Sequence, residues 1–156
     1  MNSPGNSIAL AMAMALGLMV SACETVAPDE QRPQFAQRAA PRAGQAEIEL
    51  LAGLDARLAR RGPCLGIVPR GDPDGEFTTI VWPANARLDQ DEQGWFVRNA
   101  ANGTVLRIGS RIRGGGGHIG ELSGEALRRF NHYLTRDLSA QCAAYGAFTL
   151  NADFGG

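Results

Sequence analysis

The pair Asn102-Gly103 constrains the fold of this chain more than any other two residues. Both tolerate the backbone of a tight reversal, and they sit between two runs rich in β-branched and aromatic side chains. These runs are residues 95–99 (Trp-Phe-Val-Arg-Asn) and 104–108 (Thr-Val-Leu-Arg-Ile). The arrangement predicts an antiparallel hairpin turning at positive φ angles, and a fold built from neighbouring β pairs. Asn102-Gly103-Thr104 also matches a glycosylation acceptor, but the turn accounts for the same residues.

More short strands follow the same punctuation. Residues 64–68 (Cys-Leu-Gly-Ile-Val) read as a strand stopped by Pro69, and residues 77–82 (Phe-Thr-Thr-Ile-Val-Trp) as another stopped by Pro83. Residues 111–113 extend the sheet as far as the glycine run Gly114 to Gly117. A helix is expected next, with Ser123 as its N-cap, Glu125 and Ala126 in its first turn, and Leu127, Phe130 and Leu134 facing the core. Residues 135–144 continue it or form a second short helix carrying Cys142, and residues 145–150 close the chain as a strand. Residues 47–61 stay open. Ile48, Leu51, Leu54 and Leu58 keep helical spacing, Ile48, Leu50, Ala52 and Leu54 alternate as in a strand, and the Ala, Leu, Arg and Glu content favours helix. The class expected is mainly β with α (α+β), a small antiparallel domain with one or two helices.

The N-terminal segment is of a different kind. Residues 1–22 carry no charged side chain, and residues 8–20 form an apolar run too short to span a bilayer, which reads as an export signal. Residues 1–7 offer only the terminal amine where a basic region is usual, so either export tolerates this or the start codon lies upstream. The signal ends in Val20-Ser21-Ala22-Cys23, which resembles the lipobox of bacterial lipoproteins. That resemblance implies that Cys23 is acylated and becomes the first residue of the mature protein, and several acyl chains would hold it stably where one would not. Val20 and Ala22 also satisfy the small-residue rule of an ordinary secreted protein, which is the alternative. Glu24 in place of Asp implies sorting to the outer membrane, facing the periplasm. If Cys23 is acylated, Cys64 and Cys142 are the two thiols left in an oxidising compartment, and a disulfide between them is expected.

Residues 24–44 are polar and Ala-rich, with Pro28, Pro33 and Pro41 and only Val26 and Phe35 as sizeable apolar side chains. Such a stretch buries too little surface to offset the entropy of ordering it, and a disordered tether is expected. The organisation is then a signal over 1–22, the lipidated cysteine and tether over 23–44, and a single β-rich domain over 45–156. Within that domain, Cys64-Leu65, the strand ending Val81-Trp82-Pro83, the glycine turns at Gly109 and Gly114 to Gly117, and Cys142 before Tyr145 resemble a type of small bacterial envelope lipoprotein of uncharacterised function. The resemblance covers residues 47–151 and implies a compact β-barrel-like domain in which the segment before the first cysteine is a strand carrying a glycine, here Gly53. It implies no activity.

Composition narrows the chemistry. The chain contains no lysine, so Schiff-base catalysis and a P-loop lysine are excluded, and its net charge of −1 gives no case for nucleic acid. The acidic loop Asp72-x-Asp74-Gly75-Glu76 lacks the EF-hand glycine and bidentate carboxylate, because those places hold Phe77 and Pro83, and it reads as a solvated turn. Gly114 to Gly117, flanked by Arg111, Arg113 and His118, make those three the candidate ligand contacts if the glycines form an anion nest, against the plainer reading of a bent strand connection. A zinc site would need His118 and His132 to converge with Glu121 or Asp137, and a hydrolase would need one of them beside Ser110, Ser123 or Ser139, none of which lies in Gly-x-Ser-x-Gly. No catalytic residue, metal or cofactor is expected. Trp82, Trp95, Phe77, Phe96 and Tyr145 line a groove or, as strand aromatics ordinarily do, fill the core.

The function expected is a non-catalytic binding or structural module, anchored in the envelope membrane through acyl chains on Cys23 and facing another envelope protein or component. A small envelope hydrolase using His118 or His132, or a secreted soluble binding domain, are the alternatives.

Overall fold

The computed structural model describes residues 31–45, 49–72 and 74–156. The expected signal segment, Cys23 and the first part of the expected tether lie outside these residues, as do residues 46–48 and Pro73. In chain order the elements are β1 (Gln37–Arg38), β2 (Ala52–Arg61), β3 (Cys64–Pro69), β4 (Thr78–Val81), β5 (Ala86–Asp91), β6 (Gly94–Asn99), β7 (Val105–Arg107), β8 (Arg111–Gly120), α1 (Gly124–Asn131), β9 (Leu134–Arg136), α2 (Ala140–Ala143) and β10 (Ala147–Leu150). The fold is mainly β with two short helices.

Strand pairing runs β10-β4-β3-β2-β8 and returns to β10. β2 pairs with β3 from Ala56↔Pro69 to Arg61↔Cys64 and with β8 from Ala52↔Gly116 to Arg57↔Arg111. The ring is not wholly antiparallel, because β10 runs parallel to β4. A parallel neighbour needs a long crossover, and the chain between β4 and β10 supplies one. β5, β6 and β7 form a separate three-stranded antiparallel sheet, and β1 pairs with β9.

The two-residue period of the ring strands sorts their side chains into two cores. Ala56, Leu58, Leu65, Ile67, Ile80, Trp82, Ile112, Phe148 and Leu150 pack together with Val97 and Leu106 of the second sheet. Cys64, Val68, Val81 and Ala147 point the other way and pack with Leu127 of α1 and Cys142 and Ala143 of α2. A disulfide joins Cys64 to Cys142, with Cα atoms 5.5 Å apart, and so ties β3 to the helical layer. Ser139 caps α2 by accepting from the Cys142 N–H, whereas Ser123 holds the N-cap position of α1 without a side-chain bond.

Several expectations are corrected. The open reading of residues 47–61 resolves to strand over 52–61, carrying Gly53 as the resemblance implies: each residue is fixed by one or two partner strands, and tertiary pairing overrides helix-forming composition. The disordered tether expected as far as residue 44 does not extend over residues 35–38. Phe35, Ala36 and Gln37 are buried, Ala36 C=O accepts from Trp82 N–H, Arg38 N–H donates to Trp82 C=O, and the Gln37 amide donates to the carbonyls of Pro83, Ala84 and Ala86. One aromatic side chain with a pocket to fill outweighs a polar average. The 95–108 hairpin forms, with Phe96↔Arg107 and Arg98↔Val105 paired, but its turn is wider than two residues. Asn99 N–H donates to Thr104 C=O and Gly103 N–H to Asn99 C=O. Gly103 takes φ +76°, while among the described residues no residue other than glycine has positive φ, so Asn102 does not. Strand β5, and the burial of Asn151 and Phe154 beyond β10, were not anticipated.

Candidate functional site

The glycine run is part of β8. Gly114, Gly115 and Gly116 pair with Leu54, Gly53 and Ala52, and Gly116 and Gly117 also pair with Leu150 and Thr149. A Cβ on Gly116 would lie 2.3 Å from the Phe148 ring and from Thr149 O, one on Gly115 2.6 Å from the Asn151 amide, and one on Gly117 2.7 Å from Leu50. Both faces of the run are therefore covered, and its backbone makes a ladder instead of an anion nest. Arg111 is also engaged: its Nε donates to Asp55 Oδ1 at 2.7 Å and its second nitrogen to Asp55 Oδ2. That guanidinium holds the Asp55 carboxyl below its ordinary value, with a smaller contribution from Arg70, 3.7 Å away. Arg113 is exposed and its backbone exchanges bonds with Gly155. His118 is exposed, with Nδ1 accepting from Gly120 N–H. Alternation places Arg111 and Arg113 on one face of β8 and His118 on the other, so the three do not converge.

His132 follows α1 and borders a shallow depression with Arg128, Asn131 and Asp137. The loop around Asp72 is a turn closed by Gly75 N–H donating to Asp72 C=O. Among the described residues no group of three or more His, Cys, Asp and Glu side chains could hold a metal ion.

Of the five aromatics, Trp82, Phe77 and Phe96 are buried, and Tyr145 packs edge-on to Phe77 with Arg61 over both rings. Trp95 is the exception. It lines a groove of about 490 Å³ with Arg60, Gly62, Gln93, Gly94, Arg107 and Ile108. The groove forms where the turn after β2 meets the β5–β6 turn and the end of β7. Hydrogen bonds from Gly109 N–H to Leu58 C=O and from Leu58 N–H to Ser110 C=O fix that junction. Gly62 at φ +57° and Gly94 at φ +103° make the two turns tight enough to leave an opening.

Both cations of the groove are held by hydrogen bonds. Arg60 donates to Gly62 C=O and Gln31 C=O. Arg107 donates to both oxygens of Asp91, at 3.0 and 2.5 Å, and lies 5.0 Å over the Phe96 ring. The hydrogen bond from Arg107 lowers the Asp91 carboxyl pKa and raises that of Arg107, so the pair stays charged. Beneath Trp95 and Ile108 lies an apolar crevice of Leu58, Leu65, Leu88, Phe96 and Val97. The Trp95 Nε1 atom is buried and has no hydrogen-bond partner among the described residues. No sequence motif marks this groove, since its residues come from three separate turns; Trp95 beside the Gly94 turn is the one local signal.

No protein-family model, curated protein or solved structure matches this chain.

Proposed function

We propose that this protein is a lipid-anchored component of the bacterial envelope, held in the outer membrane through Cys23, whose folded part is a non-catalytic binding module. The five-stranded ring serves as a small barrel scaffold, and the groove beside Trp95 takes the ligand. The observation that carries the reading is the combination in one opening of a partly exposed indole and two arginines, Arg60 fixed on the carbonyls of Gly62 and Gln31 and Arg107 on Asp91. A flat sugar or ring face suits the indole, and an acidic group suits the guanidinium edge. An acidic sugar of the envelope is the simplest ligand of this chemistry.

Titrating the full chain with N-acetylmuramic acid, and with uncharged N-acetylglucosamine as control, tests the groove. The indole fluorescence of Trp95 should change saturably with the acidic sugar, and the response should vanish in Trp95→Phe. Feeding labelled palmitate tests the anchor: label in wild type and none in Cys23→Ala supports it, and an unlabelled soluble wild type refutes it.

A further inference from the structure

We propose that a second surface depression, distinct from the Trp95 groove, binds a phosphate group through Arg38, Arg87 and Arg136. The three residues line one hollow of about 300 Å³ between the β1–β9 pair and the turn at residues 83–86, together with Gln37 and Thr135. None of its described lining residues is acidic. In a chain of net charge −1, three arginines lining one hollow, with no acidic residue among its described lining, is a local concentration of guanidinium groups. Asp89 lies 3.4 Å from Arg98, and Asp137 borders the depression beside His132.

The hollow is built, not incidental. The Gln37 side-chain amide, itself buried, donates to Pro83, Ala84 and Ala86 carbonyls at 3.1, 3.2 and 2.8 Å and fixes one wall. Arg87 donates to Ala84 and Ala86 carbonyls at 2.7 and 2.8 Å, and Arg38 to Leu150 C=O at 2.8 Å, which orients two guanidinium groups on backbone acceptors. Arg136 sits opposite Gln37 in the β1–β9 register, and its side chain has, among the described residues, no ion-pair or hydrogen-bond partner. A planar carboxylate is satisfied by one guanidinium fork, whereas the oxygens of a phosphate point in several directions and suit donors arriving from different strands.

Two sources share that chemistry, free phosphate or its monoesters and the phosphodiester of a lipid headgroup. The second is within reach if Cys23 carries acyl chains, a clause that rests on the anchor proposed above, because the fourteen residue steps from Cys23 to Gln37 extend to at most about 50 Å.

The full chain in non-ionic detergent is titrated calorimetrically with inorganic phosphate and, separately, with glycerophosphoglycerol as a soluble diester, at constant ionic strength. Saturable binding of at least one probe is expected, weakened tenfold or more by Arg136→Ala, less by Arg136→Lys, and unchanged by Arg129→Ala, which alters an exposed arginine on α1. Binding of phosphate alone identifies the free anion as the source, and comparable binding of the diester identifies the headgroup. Absence of saturable binding for both probes, or equal affinity in Arg136→Ala with an unchanged circular dichroism spectrum, would overturn the proposal. Loss of the Trp95 fluorescence response leaves this site unaffected, so the two proposals fail separately.

Discussion

The ring of Phe35 stacks on the indole of Trp82, with centroids 5.5 Å apart and planes 17° from parallel. Trp82 is fully buried, and Phe154, near the C-terminus, meets its ring edge-on at 5.6 Å. One indole thus joins the start, the middle and the end of the described chain. Phe35→Ala should cost about 3 to 5 kcal/mol, the range for emptying a buried aromatic site. Denaturant unfolding measures it, and a loss under about 1 kcal/mol would mean that the segment before β1 contributes nothing.

Gly116 and Gly53 lie on adjacent strands with opposite demands. A Cβ on Gly116 meets the Phe148 ring at 2.3 Å, while a Cβ on Gly53 has nothing within 4 Å. Gly116→Ala should therefore destabilise by about 1 to 3 kcal/mol. Gly53→Ala should be neutral or slightly stabilising, since it only narrows the unfolded ensemble. Equal melting temperatures for the two variants would contradict the packing of β8.

Local patterns made most of the strands legible. Alternation with turn residues announces β3, β4, β6, β7 and β10, and Gly103 announces its turn. What local pattern does not carry is a partner's shape. Residues 47–61 satisfy helical and strand spacing equally, and only β3 and β8 on either side decide between them. The same holds for Phe35, whose value lies in a ring far along the chain. β5 went unread because Arg87, Asp89 and Asp91 outnumber its apolar residues, yet β6 pairs with its whole length. The groove is illegible in the sequence because it is assembled from turns distant along the chain, whereas the arginines beside the glycine run belong to a strand whose faces are already filled.

The Cys64–Cys142 disulfide closes a loop of 78 residues. In the chain-entropy model such a link removes about 4 to 5 kcal/mol of denatured-state freedom. The double variant Cys64→Ser/Cys142→Ser should lose a stability of that order, and wild type denatured without reductant should offer neither of these thiols to alkylation. Two free thiols at these positions would remove the link between β3 and α2.

Acid should weaken the β2–β8 contact. Hydrogen bonding from Arg111 holds the folded-state Asp55 carboxyl below its ordinary value, so the unfolded chain binds its proton more readily. The stabilisation is present above the unfolded value of about 3.9 and is lost as pH falls through the folded one. Because the pair is exposed, added salt should reduce it. The difference in melting temperature between wild type and Asp55→Asn should shrink as pH is lowered from neutral to strongly acidic. A difference independent of pH would show that the ion pair is not its source.

The groove beside Trp95 is the centre of the functional account, and amide chemical-shift mapping of the full chain with N-acetylmuramic acid addresses it most directly. Saturable shifts should gather at Arg60, Gly62, Gln93, Gly94, Trp95, Arg107 and Ile108, leaving the amides from Arg111 to His118 in place. Shifts confined to Arg111, Arg113 and His118, or no saturable shift anywhere, would contradict it.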